Sequence, residues 1–109
     1  MAADLDTHDL DRAAAAFRAL AHVTRLQILV VLREHEQLSP TQLTAALEHD
    51  TALANVAHHT RVLAKLGLVA PAGTRPVRGA IEHFYKLTPR GIGLLELVGR
   101  VADEPATHT

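Results

Sequence analysis

Residues 50 to 69 read DTALANVAHHTRVLAKLGLV, and their spacing decides what kind of chain this is. Leu53, Val56, Ala57, Thr60, Leu63 and Ala64 recur every three or four residues, so they share one stripe of an α-helix and predict a buried face. The opposite stripe carries Asn55, His58, His59, Arg61, Val62 and Lys65. Asp50 or Thr51 can cap the start, because a short side-chain oxygen accepts from an otherwise unpaired amide of the first turn. Gly67 supplies the stop, since it tolerates the left-handed conformation that commonly ends a helix. An ordinary surface helix is also amphipathic, so the surrounding chain must decide whether the polar face is merely solvated.

Upstream, Ser39-Pro40-Thr41-Gln42 combines a capping residue, a proline suited to the first helical position and a Gln three after the cap. It predicts a short helix with Leu43, Ala46 and Leu47 on its inner face. Only Glu48 to Asp50, with Thr51 at the boundary, separate it from the next helix. Two short helices joined so tightly over residues 39–66 are a helix-turn-helix, whose second helix enters the major groove while the first lies across the backbone.

Downstream the pattern changes period. Leu68, Val69 and Ala70 predict a short strand, a polar loop containing Pro71, Gly73, Pro76 and Gly79 follows, and Ala80 to Leu87 reads as the returning strand. A hairpin over residues 68–87 with a long basic tip is a wing. Arg75 and Arg78 fall at that tip, where a cation can reach backbone phosphates or the minor groove. His83 is expected to lie against the sheet.

Three further helices complete a mainly α chain with a small β-hairpin. Leu10, Ala13, Ala14, Phe17, Leu20 and Ala21 form a stripe over residues 8–21. Val23 to Glu34 is apolar nearly all round and belongs in the middle, with Arg25 and Arg33 assigned no chemistry. Thr88 as cap and Pro89 at the first position open a last helix over residues 89–102, rich in Leu and Val. The first and last helices are expected to cover each other and the matching helices of a second copy, giving a two-fold dimer. Residues 1 to about 7 are expected to be frayed and residues 103–109 disordered. The whole suits a single winged helix-turn-helix domain, helices α1 to α4, a two-stranded wing and α5.

Composition narrows the function. Hydrophobic residues make up 48% of 109, but there is no Trp, one Tyr and two Phe, so the core must be built from Ala, Leu and Val. No apolar run is long enough to span a membrane and no signal segment opens the chain, so a cytoplasmic protein is expected. The net charge of −1 hides an asymmetry: residues 51 to 90 hold six basic side chains and one acidic, Glu82. Positive charge therefore concentrates around the proposed reading helix, where it can neutralise phosphates. No nucleophile motif, paired-carboxylate signature or phosphate-cradling Gly-rich loop points to an enzyme. No cofactor is called for.

Arg18-Ala-Leu-Ala-His-Val-Thr-Arg-Leu-Gln-Ile-Leu29 followed by Asn55-Val-Ala-His-His-Thr-Arg-Val-Leu-Ala-Lys-Leu-Gly-Leu-Val69 resembles the ArsR-like winged helix-turn-helix transcriptional regulators. Arg75-Pro-Val-Arg-Gly-Ala-Ile-Glu-His-Phe-Tyr-Lys86 is similar to the wing of an actinobacterial branch of that superfamily. The similarity covers about residues 12 to 98. It implies a homodimer that binds a roughly palindromic operator in double-stranded DNA and usually represses. On that resemblance Asn55, His58, His59 and Arg61 face base edges or phosphates, Lys65 sits near the backbone, and Arg75 and Arg78 are wing contacts. Thr41, Gln42 and Thr51, at the starts of the two motif helices, complete the expected DNA contacts. Asn and Arg can make paired hydrogen bonds to adenine and guanine edges, which suits the assignment. Ala57 and Thr60 depart from the Ser and Leu common in the family.

The family's founding members sense metals, but their helix-three site needs cysteines, and this chain has none. A terminal-helix zinc site needs Asp and His ligands, and Ile92 to Ala102 contains no His. His58 and His59 are adjacent, unlike an i, i+4 metal pair. No metal ligand is therefore assigned; a small-molecule effector of another kind, or none, is left open. The alternatives to a DNA-binding repressor are a winged-helix module that binds protein, and a metal-responsive sensor using His, Asp or Glu ligands.

Overall fold

The computed structural model describes residues 5–47 and 52–103, apart from the side chains of residues 16, 19 and 20. In order the elements are α1 (Thr7–Leu20), α2 (Val23–Arg33), α3 (Pro40–Ala46), α4 (Leu53–Lys65), β1 (Val69–Val77), β2 (Ala80–Leu87) and α5 (Pro89–Asp103). The expectations for residues 1–4, for the turn 48–51 with Asp50 and Thr51, and for the tail beyond Asp103 lie outside the described residues.

The apolar run of α2 makes it the hub. It packs against α1, α3, α4, α5 and β2, and Ile28, Leu29 and Leu32 are buried on it. Leu43 and Leu47 from the α3 region, Val56 and Leu63 from α4, Leu68, Val69 and Leu95 join them in one aliphatic core. Removing this apolar surface from water is the main term holding the helices together, roughly 1.5 to 3 kcal/mol for each Leu, Ile or Val side chain that is fully buried.

The start of α1 is fixed earlier than the expected fraying allows. Asp6 accepts from Asp9 N at 2.8 Å while Asp9 accepts from Asp6 N at 3.3 Å, a reciprocal cap that satisfies two backbone donors. The same device opens α3 as read from the sequence: Gln42 N donates to Ser39 Oγ at 3.2 Å and Ser39 N to Gln42 Oε1 at 2.9 Å.

Helix α4 buries the predicted stripe at Val56, Thr60 and Leu63, with Thr60 Oγ1 donating to the Val56 carbonyl at 2.8 Å so that its hydroxyl is not stranded in the core. Its start differs from expectation. Ala52 is the N-cap and has no side-chain oxygen, so neither Asp50 nor Thr51 occupies that position. Leu53 is exposed rather than buried, since the first turn of α4 projects beyond the core. The stop is as expected. Gly67 has φ of +75°, Leu68 N donates to Leu63 O and Gly67 N to Ala64 O, both at 3.0 Å, and these two bonds close the helix end.

The wing differs most. Instead of a short strand and a long loop, β1 continues to Val77 and pairs antiparallel with β2 along its whole length. Pro71 and Pro76 are tolerated because β1 has a partner on one side only and their missing amides cost no ladder bond. A bulge between Pro71 and Gly73 takes up one extra residue. The tip is then a two-residue turn, Arg78 at φ +48° and Gly79 at φ +82°, the handedness that suits a tight hairpin. Arg78 is at the tip as expected; Arg75 is not, and stands opposite Glu82 within the ladder. His83 is exposed, whereas Phe84 is buried. A single residue before α3 extends the sheet: Leu38 N donates to Tyr85 O at 3.0 Å and Tyr85 N to Leu38 O at 2.9 Å.

Thr88 ties the wing base to α5. Its hydroxyl donates to Gly67 O at 2.7 Å and accepts from Gly91 N at 3.0 Å, so the predicted cap also clamps the end of α4. Gly91 is buried where a Cβ would collide with the Leu68 carbonyl and the Leu87 side chain, so only Gly allows α5 this close to the wing base. Beyond it, α1, α2 and α5 share an apolar hollow lined by Phe17, Leu26, Leu94, Leu97, Val98 and Val101.

Candidate nucleic-acid interface

The outward face of α4 is the side of the helix that the core cannot use. Burial of Val56, Thr60 and Leu63 turns Asn55, His58, Arg61 and Lys65 to solvent on successive turns. Arg61 stands at the middle of this row. It lines one hollow with His58, Val62, Lys65, Pro71 and Tyr85, and a second with Thr41, Ala57, Ile81 and His83. Arg61 therefore lies where α4, the α3 start and the wing converge. Among the described residues neither Arg61 nor Lys65 has a hydrogen-bond or ion-pair partner, and the same holds for Arg78. Three cations are thus free to engage an anion presented from outside.

Thr41 and Gln42 are exposed at the start of α3. Gln42 uses its side-chain oxygen in the cap, which leaves its amide nitrogen for another partner. Thr51 lies outside the described residues. His59 is not on the row: it is half-buried and turned towards α2, where Nδ1 accepts from Arg25 Nε at 2.9 Å. The structure thus brings together Thr41, Gln42, Asn55, His58, Arg61, Lys65 and the wing, and sets His59 apart.

Arg75 also has a different environment from Arg78. Its Nη2 and Nε donate to Glu82 Oε1 at 2.6 and 3.2 Å, and the guanidinium lies 5.4 Å from the Phe84 ring centroid, within range of a cation–π contact. The second carboxylate oxygen of Glu82, Oε2, accepts from Ser39 Oγ. One carboxylate therefore links the wing to the N-cap of α3. The Ser39 hydrogen bond, then the Arg75 hydrogen bonds and charge, hold the Glu82 carboxyl below its ordinary pKa against a smaller opposing effect of burial.

Sequence reasoning missed the Ser39–Glu82–Arg75 link and the Arg25–His59 bond. The first had a usable signal. A two-residue turn at Arg78-Gly79 places Arg75 directly opposite Glu82, the one acidic residue in the basic stretch. Among the described residues no group of three or more His, Asp or Glu side chains is arranged to hold a metal ion. No helix among them is long and apolar enough to cross a membrane.

Two motif helices packed on a central helix, followed by a two-stranded hairpin packed against the second of them, make a winged helix-turn-helix domain. No family model and no curated protein matches the chain. Solved structures do. The homodimeric winged helix-turn-helix DNA-binding domain Mb0332 of Mycobacterium bovis, described as a possible ArsR-family transcriptional regulator, superposes with a TM-score of 0.71 at 28% identity, covering 100% of this chain and 96% of that one. A crystal structure of the same fragment, described as a possible transcriptional regulatory protein, gives 0.67 at 28% identity, covering 87% and 95%. An ArsR-like transcriptional regulator from Rhodococcus sp. RHA1 gives 0.58 at 25% identity, covering 89% and 88%. The chain is thus similar, in fold and along its length, to ArsR-family winged helix-turn-helix regulators of mycobacteria and Rhodococcus, as its sequence motifs suggest.

Proposed function

We propose that this chain is a homodimeric, sequence-specific DNA-binding transcriptional regulator that represses by occupying an inverted-repeat operator. It is not an enzyme in this reading, and it acts in the cytoplasm, where it needs no cofactor for binding. The observation that carries the proposal is the exposed α4 row, with Arg61 and Lys65 unpaired among the described residues and the wing strands lining the same hollows as Arg61. A solvated structural face needs no such concentration of uncompensated cations beside a projecting hairpin. Polyanionic DNA does, because each neutralised phosphate releases counterions.

In this reading α4 lies in the major groove. Asn55 and Arg61 reach base edges, where their paired donors and acceptors match adenine and guanine; His58 borders them and Lys65 meets the backbone. Thr41 and the Gln42 amide contact phosphate from the α3 start, Arg78 reaches a phosphate or the minor groove from the wing, and Arg75 stays with Glu82 to hold the wing upright. Exposed Leu10, Phe17, Ile92, Leu97 and Val101 on α1 and α5 supply a face for a second copy, which would set two α4 helices on successive turns of the duplex. The homodimeric state of the Mb0332 DNA-binding domain supports a dimer.

The test is stoichiometric. Titrating a duplex recovered by selection should give two chains per duplex and an affinity that falls steeply as salt rises. One chain per duplex, or an affinity indifferent to salt, contradicts the proposal.

A further inference from the structure

Behind the α4 row lies His59, which the proposed function does not use. His59 is half-buried next to exposed His58, and its Nδ1 accepts from Nε of half-buried Arg25 on the first turn of α2. His22, the N-cap residue of α2, sets its ring 5.6 Å from that of His59, and the His58 ring lies 5.8 Å away on the other side. The titratable and charged groups facing His59 among the described residues are thus Arg25 and His22 from α2, and His58 from α4 itself. None is a carboxylate.

A guanidinium can only donate, so Nδ1 must be the bare nitrogen and the neutral ring carries its hydrogen on Nε2. A second proton would set N–H against N–H and bring two cations to hydrogen-bonding distance. Burial first, then Arg25, His22 and His58, hold the imidazole below its ordinary value of 6.5. For a base with a depressed folded pKa the bond contributes fully above the unfolded value and is lost as pH falls through the folded one. The tie is therefore intact at neutral pH and opens below the ordinary imidazole value, as pH falls through the lowered folded one.

We propose that neutral His59 is a positioning residue for DNA recognition, tying α4 to the central helix through Arg25 so that sequence discrimination weakens when the ring takes up a proton. The inference rests on the DNA-binding reading. Charging frees the ring from Arg25 and adds positive charge near the outward face, which any duplex attracts. Specific binding then falls relative to non-specific binding, a change that simple unfolding does not produce because unfolding lowers both.

The experiment measures the ratio of affinities for a selected duplex and its scrambled counterpart at about pH 7.5 and at the lowest pH at which circular dichroism shows the chain still folded, below the ordinary imidazole range. His59→Asn is the informative variant, since an Asn oxygen falls near the place of the imidazole Nδ1, accepts from Arg25 and does not titrate. The wild-type ratio should drop about fivefold to tenfold in acid, the scale of one lost hydrogen bond. His59→Asn should keep the ratio at both pH values, and His59→Ala should be low at both. A wild-type ratio unmoved by pH, or a His59→Asn chain as sensitive as wild type, overturns the proposal. Histidine NMR of the free chain separates the two levels. His59 should titrate below the ordinary imidazole value of 6.5 and shift α4 amides as it charges; an ordinary titration with still α4 amides overturns the tie whether or not DNA is bound. Absence of any duplex binding at neutral pH alongside a normal tie would overturn the DNA reading, and the recognition role with it.

Discussion

Two surfaces of this small chain are left open by its core, and their chemistries are opposite. On α4 and the wing tip the exposed groups are Asn55, His58, Arg61, Lys65 and Arg78. On α1 and α5 they are large and apolar: Leu10 is 54% exposed, Phe17 61% and Val101 68%. The polar face loses little by standing in water and gains only when it meets an anion. An apolar face of that kind costs free energy while it stays wet, so it calls for a protein cover. The difference teaches that exposure alone says nothing about function; in the proposed reading it is the chemistry of what is exposed that gives one face to DNA and the other to a second copy.

The largest expected effect comes from breaking the apolar face. Phe17→Asp should leave the helical circular-dichroism signal unchanged and yield monomers in sedimentation. It should also weaken operator binding by at least about a hundredfold, because two half-sites then bind independently. A dimer with full affinity would remove α1 from the interface. Next is the centre of the polar face. Arg61→Ala should cost roughly 1 to 3 kcal/mol on the selected duplex if it reads a base edge, with relaxed preference at one position. An equal loss on scrambled DNA would make it a phosphate contact.

Smaller effects separate the two wing arginines. Glu82→Gln keeps the Ser39 hydrogen bond in reach but removes the charge that holds Arg75, and should loosen the wing and weaken binding by less than Arg61→Ala does, on selected and scrambled duplex alike. Acid should do the same to the wild type. The Glu82 tie is present above the ordinary carboxylate value of 4.5 and is lost as pH falls through the lowered folded one, observable as broadening of wing amides in NMR. Arg78→Gly should give the smallest change: the turn is kept, since Gly adopts positive φ without the cost that Arg bears there, while the salt slope of binding falls by about one. An unchanged slope would show that the tip does not meet phosphate.

Much of this was legible beforehand, for identifiable reasons. Helix α4 announces itself because Val56, Thr60 and Leu63 are periodic, and Gly67 marks its end with a residue whose conformational freedom the chain uses. The α3 cap was legible because Ser39 and Gln42 are local partners. The first wing strand was not, because Pro71 and Pro76 suppress the strand pattern and only the presence of a single neighbour makes them harmless. Leu38 was invisible for a simpler reason: a one-residue bridge has no periodicity. At the site, the outward row followed from the helical wheel. His59 did not, since it sits at the boundary between the two stripes and what turns it inward is Arg25, 34 residues earlier.

The central claim is that α4 and the wing read DNA as a two-fold pair. Selection of bound duplexes from a random pool, at two salt concentrations, tests it most directly. The account predicts an inverted repeat with half-sites about one helical turn apart, enriched at both salts. Enrichment of no sequence, with no duplex retained even at low salt, would contradict it.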